Sequence, residues 1–176
     1  MRGSNRLKTC CFIGDCTQNS LFLFKKKSSY FNNIKLKIER AVVSLIENLS
    51  VTNFMSGMNI GFELCGAEIV LEKKEKYPGI ILEGVLPYEA HSINWTEDQR
   101  NKYYSIMEKA DREILLQYRY TDDCMRKRDM YMIHHSKYII YFQEYTGNIN
   151  SLIIFAKSIG RSIITIDSDM INKIII

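Results

Sequence analysis

Asn53-Phe54-Met55-Ser56-Gly57-Met58-Asn59-Ile60-Gly61-Phe62-Glu63 passes from a short apolar segment through a turn with two glycines into a helical stretch that runs on to Tyr77. Strand, glycine turn and helix in immediate succession form half of a βαβ unit, and one such unit implies more. The same order occurs earlier in the chain. Thr9-Cys10-Cys11-Phe12-Ile13 is a short apolar strand closed by Gly14, and Ile34, Ile38, Ala41, Val42, Leu45, Ile46 and Leu49 recur at helical spacing from Asn32 to Leu49. Between them, Asp15 to Phe31 is polar, carries Lys25-Lys26-Lys27 and reads as a surface loop.

Downstream the alternation continues. Pro78-Gly79 stops the second helix, and Ile80 to Leu86 is a strand closed by Pro87. Thr96-Glu97-Asp98-Gln99 has the capping-box pattern, with Tyr103, Ile106, Met107 and Ala110 behind it at helical spacing. Arg112 to Tyr118 reads as a strand, Cys124 to His135 as a helix, and Lys137 to Phe142 as a strand rich in tyrosine and isoleucine. Asn148 to Ile159 with Gly160 behind it is a helix, and Ser162 to Ile166 closes the set. The pattern predicts an α/β fold, a Rossmann-like three-layer αβα arrangement around a mainly parallel sheet of about six strands. Residues 8–170 form one domain, with 1–7 an extension.

Composition agrees. The chain has 176 residues, 46% of them hydrophobic and 25% charged, which suits one compact domain and excludes disordered and fibrous classes. A net charge of +4 is too mild and too well mixed to imply a nucleic-acid binder by electrostatics alone. No apolar segment follows the basic start and no run approaches the roughly 18 to 20 residues of a spanning helix, so a cytoplasmic protein without a membrane partner is expected. The five cysteines lack a C-x-x-C pair and read as buried thiols. The isoleucine-rich Ile171 to Ile176 fits a sheet edge or an oligomer contact.

In an open parallel sheet, ligands bind beyond the carboxyl ends of the strands, so the loops that leave the strands hold the candidate site. Gly14 and Asp15 follow the first strand, and Ser56, Gly57, Met58 and Gly61 form the second turn. Backbone N–H groups of that turn and the helix start behind it suit an anion such as phosphate, although the glycines serve equally to turn the chain. The turn is neither G-x-G-x-x-G nor a Walker A loop. Glu63, in the first helical turn, suits either a ribose hydroxyl or the helix dipole. Pro87, Tyr88 and Glu89 follow the third strand. Trp95, the single tryptophan, suits stacking on a base or wedging the next helix onto the sheet. Arg126, Lys127 and Arg128 open a helix, where cations oppose the dipole and a bound anion or acidic neighbour would explain them. Tyr145, Thr146 and Gly147 follow the fifth strand. No metal or cofactor is expected, because His134 and His135 lack a second ligand pair at suitable spacing.

Thr9-Cys10-Cys11-Phe12-Ile13-Gly14, Phe54 to Gly61, Ala67-Glu68-Ile69-Val70-Leu71 and Tyr77-Pro78 together resemble successive blocks of the YpsA family. That family lies in the SLOG superfamily, beside the LOG phosphoribohydrolases and the DNA-uptake protein DprA. Trp95 to Arg100, Lys109-Ala110-Asp111, Tyr120-Thr121, Cys124-Met125, Arg128, Tyr131-Met132 and His135-Ser136 extend the resemblance over about residues 8–167. It implies a site for a nucleotide or nucleotide derivative and a bacterial or phage source. Family members usually continue the first strand with Gly-His-Arg, where this chain has Gly14-Asp15-Cys16, and begin the helix with Gly-x-Asp, where it has Gly61-Phe62-Glu63. The wider superfamily's Pro-Gly-Gly-Thr-Gly loop is reduced here to Tyr145-Thr146-Gly147-Asn148, and the glutamate that LOG enzymes carry after it is absent.

The expected function is therefore a module that binds a small anionic nucleotide-type ligand, with a signal-sensing role and without catalysis. Two alternatives remain: N-glycosidic hydrolysis of a nucleotide, with Glu63, Glu89 or Glu144 replacing the missing carboxylate, and binding of single-stranded nucleic acid or a protein through the basic clusters. A homo-oligomer is also compatible.

Overall fold

The computed structural model describes residues 8–14, 29–143 and 151–167. Within these, six strands form a single sheet in the order β4-β3-β2-β1-β5-β6, and every pairing is parallel. The strands are β1 (Thr9–Gly14), β2 (Asn53–Ser56), β3 (Ile81–Leu86), β4 (Arg112–Leu115), β5 (Tyr138–Gln143) and β6 (Ser162–Asp167). Five described helices connect or follow them: α1 (Ser29–Leu49), α2 (Phe62–Lys73), α3 (Glu97–Met107), α4 (Cys124–His135) and α5 (Ser151–Ser158).

The strand order determines which face each helix covers. From β1 to β4 the chain steps one way along the sheet, and right-handed crossovers place α1, α2 and α3 on the same face. From β4 it returns past β1 to β5 and continues to β6, so α4 and α5 cover the other face. Strand side chains alternate accordingly: Cys10, Phe12, Phe54 and Leu82 join the α1–α3 core, and Cys11, Ile13, Met55 and Val85 join the α4–α5 core. This is the three-layer Rossmann-like arrangement expected from the alternation of elements.

Each helix packs as its composition dictates. In α1, Ile34, Ile38, Val42 and Leu45 form the buried stripe. Helix α2 lies between α1 and α3 and buries residues around its whole circumference, including Phe62, Leu64, Cys65, Ile69 and Val70. A β-carbon on Gly66 would fall 2.6 Å from the Phe12 ring, so this glycine lets α2 approach β1 closely.

Several boundaries differ from the sequence reading. Helix α1 begins at Ser29, inside the stretch read as loop, and α2 ends at Lys73 rather than Tyr77. Strand β4 ends at Leu115 rather than Tyr118, because its pairing partner β3 ends at Leu86, in register with Leu115. Residues 171–176 lie outside the described residues.

Candidate functional site

Strand order reverses at β1, whose neighbours β2 and β5 lead to opposite halves of the sheet. A ligand crevice is expected above the carboxyl ends of β1 and β5, where the connections diverge. Gly14 ends β1 there, and its missing side chain is used by the fold: a β-carbon would lie 2.8 Å from the Phe62 ring. Phe62 in turn stacks on Phe142 of β5 at 5.3 Å, so the first residue of α2 closes the floor of the crevice. Asp15 and Tyr145, Thr146 and Gly147 lie outside the described residues, as does Glu144.

The turn from Ser56 to Gly61 is braced from within. The Ser56 hydroxyl donates to the Glu63 carbonyl at 2.9 Å and accepts the Met58 N–H at 3.2 Å. Met58 has φ 57° and Gly61 φ 95°; the left-handed region suits the glycine and strains the methionine. Met58 is fully buried, and its side chain reaches the space above Gly84 of β3.

Glu63 and Arg128 meet beneath this turn. Arg128 Nη2 donates to Glu63 Oε1 at 3.2 Å and to Asp129 Oδ1 at 2.7 Å, and Nη1 donates to the Gly57 carbonyl at 3.2 Å. The other Glu63 oxygen, Oε2, accepts the Asn59 N–H at 3.0 Å. Both paired side chains are only 2% exposed. Burial opposes the Arg128 charge, and the Glu63 and Asp129 carboxylates more than offset it, holding the guanidinium above the usual arginine pKa. Gly57 is required here, since a β-carbon would lie 2.6 Å from both the guanidinium and the Glu63 carboxylate. The acidic neighbours of Arg128 are thus the adjacent Asp129 and Glu63, 65 positions earlier in the chain.

The other basic residues at the start of α4 face outward. Lys127 pairs with Asp123 at 3.0 Å, and Arg126 is exposed.

The segment after β3 builds a different environment. Pro87 is buried, Tyr88 half-buried and Glu89 exposed. His91 is 7% exposed and meets three rings edge to face: Tyr88 at 6.3 Å, Trp95 at 5.2 Å and Tyr103 of α3 at 5.0 Å. Tyr120, from the loop before α4, meets Tyr88 in the same way at 5.5 Å. Trp95 also packs on Tyr103, at 5.6 Å, so it ties the β3 exit to α3. Burial lowers the His91 pKa from 6.5 to about 4; the nearby Arg128 charge acts the same way, and the Tyr88 carbonyl opposes both. The ring is therefore neutral at physiological pH.

The sequence pattern marks neither His91 nor Asp129 as a site residue, and it marks Tyr120 only through the family resemblance. Pro87, Tyr88, Glu89 and Trp95 mark this stretch, but nothing local distinguishes a histidine that the fold buries from one left on the surface.

Cys10, Cys11, Cys65 and Cys124 are buried and free, as expected for these four; Cys16 lies outside the described residues. Burial pushes the thiols of Cys11 and Cys65 up to about 12, and such thiols are poor nucleophiles. No described helix is long and apolar enough to cross a membrane. A shallow hollow of about 570 Å³ lies along α3, lined by Asn101, Tyr104 and Glu108 together with Glu113 of β4; the Tyr104 ring borders the aromatic cluster through Tyr103, at 5.0 Å.

Residues 13–167 match the family model for YpsA, described as the YspA SLOG family. Among curated relatives, UPF0398 protein BH1768 of Halalkalibacterium halodurans is 32% identical over 93 residues, which cover 53% of this chain and 49% of that protein. A UPF0398 protein of Listeria monocytogenes serotype 4a is 36% identical over 91 residues, covering 52% and 49%. UPF0398 protein LBA1157 of Lactobacillus acidophilus is 30% identical over 118 residues, covering 65% and 63%. The matched segments thus span about half to three-fifths of the length of these relatives. With a family match over nearly all of its described fold, the chain belongs to the YpsA family of SLOG proteins.

Proposed function

We propose that the chain binds a nucleotide or nucleotide derivative in the crevice above β1, β2 and β5, and that it binds this ligand without cleaving it. One observation carries the reading: the turn Ser56 to Gly61 is held by Ser56, Glu63 and Arg128 at the start of α2, beside the point where strand order reverses. A turn fixed in advance spends little ordering free energy when a ligand approaches its backbone. Membership of the SLOG family supports the same reading.

The geometry favours binding over hydrolysis. Cleavage of a glycosidic bond needs a carboxyl group free to exchange a proton or attack the sugar. Both Glu63 oxygens are already engaged, by Arg128 and by the Asn59 N–H; Glu89 is exposed on the β3 exit, and Glu144 lies outside the described residues. Calorimetric titration with nucleoside monophosphates, ADP-ribose derivatives and cyclic nucleotides tests the proposal. Saturable binding of at least one is expected, and no heat with any of them at about 1 mM, where binding would be worth only about 4 kcal/mol, overturns it. Release of free base from the bound nucleotide would instead establish the hydrolase alternative.

A further inference from the structure

His91 differs from the other buried polar side chains of the crevice side. Ser56, Glu63 and Arg128 all have hydrogen-bond partners, whereas both ring nitrogens of His91 are buried and make no well-formed hydrogen bond. A neutral imidazole offers one donor and one acceptor; the Tyr88 carbonyl lies near the ring without a well-formed bond to it, and burial without well-formed partners costs free energy that a suitable partner would recover.

The charges nearby narrow the chemistry of that partner. Arg128 is the cation that acts on His91, and it is shared by two carboxylates, Glu63 and Asp129. One cation against two anions does not favour a phosphate here. A neutral planar ring with a donor and an acceptor along one edge suits the position better. Such a ring can also repeat the contact that Tyr88 makes with His91, because edge-to-face packing is open to any aromatic system. Tyr88 has somewhere to move, since it is only half-buried and the ring covering it, Tyr120, is 61% exposed.

We propose that His91 is the hydrogen-bonding residue of a subsite for a neutral, planar nitrogen heterocycle, the base of the nucleotide-type ligand, and that Tyr88 and Tyr120 cover this subsite until the base takes the place of Tyr88. The inference rests on the nucleotide-binding reading above and goes beyond it by naming which part of the ligand this region reads.

The test uses the whole chain, with adenosine, guanosine, cytidine, uridine, their 5′-monophosphates and ribose 5-phosphate as probes. Binding is followed by calorimetry and by the fluorescence of Trp95, the only tryptophan, 5.2 Å from His91. At least one nucleoside should bind and compete with its own monophosphate. His91→Phe should weaken that binding about 10-fold or more, while His91→Gln, which keeps a donor and an acceptor, should retain most of it. If His91→Phe fails to fold, the imidazole resonances of the unaltered chain replace it: saturating nucleoside should shift those of His91 and leave His134 and His135 in place.

If monophosphates bind but no nucleoside does, or if His91→Phe binds as tightly as the unaltered chain, the subsite is overturned and the nucleotide-binding reading stands. Unmoved His91 resonances at saturation have the same meaning. If neither nucleosides nor monophosphates bind, the subsite is overturned, and the wider reading then depends on the ADP-ribose and cyclic-nucleotide titrations.

Discussion

At the scale of single residues, burial of His91 couples its protonation to folding. Folding holds its imidazole neutral down to about pH 4, while in the unfolded chain it protonates near 6.5. As pH falls through that window the unfolded state takes up the proton first, so stability is lost between 6.5 and 4 and no more is lost below it. The loss reaches up to about 3 kcal/mol if the whole shift is expressed. Thermal midpoints measured across this range should fall more steeply for the unaltered chain than for His91→Phe, because the carboxyl titrations are common to both. Parallel curves would show that the fold tolerates a charged ring at this position. The sequence did not reveal this environment. Its aromatic walls come from the β3 exit, α3 and the loop before α4, and only folding brings them around one histidine.

At the scale of elements, local patterns were informative wherever one face of a helix or the pairing of a strand is fixed by its own residues. The capping box at Thr96 forms as read: the Gln99 side chain accepts the Thr96 N–H at 2.9 Å, and the Thr96 hydroxyl accepts the Gln99 N–H at 3.4 Å. Ends fixed by a neighbour were less legible. The sequence pattern extends β4 over residues 116–118, yet β3 offers no paired residue beyond Leu86. Helix α2 depends on a close approach that its own sequence marks only by a glycine. Gly66→Ala improves helix propensity and yet places a β-carbon 2.6 Å from the Phe12 ring. Because that ring is fully buried against Phe54 and Phe62, it has little room to yield. A net loss of about 1 to 3 kcal/mol is expected in denaturant unfolding, and an unchanged or higher midpoint would show that α2 can shift away from β1.

Across the whole molecule, the Arg128–Glu63 pair joins two layers that the sheet separates, α2 on one face and α4 on the other. Removing one partner leaves the other charge buried, so Arg128→Met should destabilise the fold by about 3 to 5 kcal/mol. Glu63→Gln combined with Arg128→Met should cost less than Arg128→Met alone, a non-additivity readable in a double-mutant cycle. Equal costs would show that Glu63 regains water when the arginine is lost. The sequence by itself determined the alternation of strands and helices, the three-layer parallel architecture and the family, because hydrophobic period, glycine turns and ordered motif blocks are written along the chain. Only the tertiary structure decided that Glu63 and Arg128 hold each other rather than standing open to a ligand, and that His91 lies neutral and without a well-formed hydrogen bond within an aromatic cluster. Ion pairing and desolvation depend on distances through space between layers, and no spacing along the chain records them.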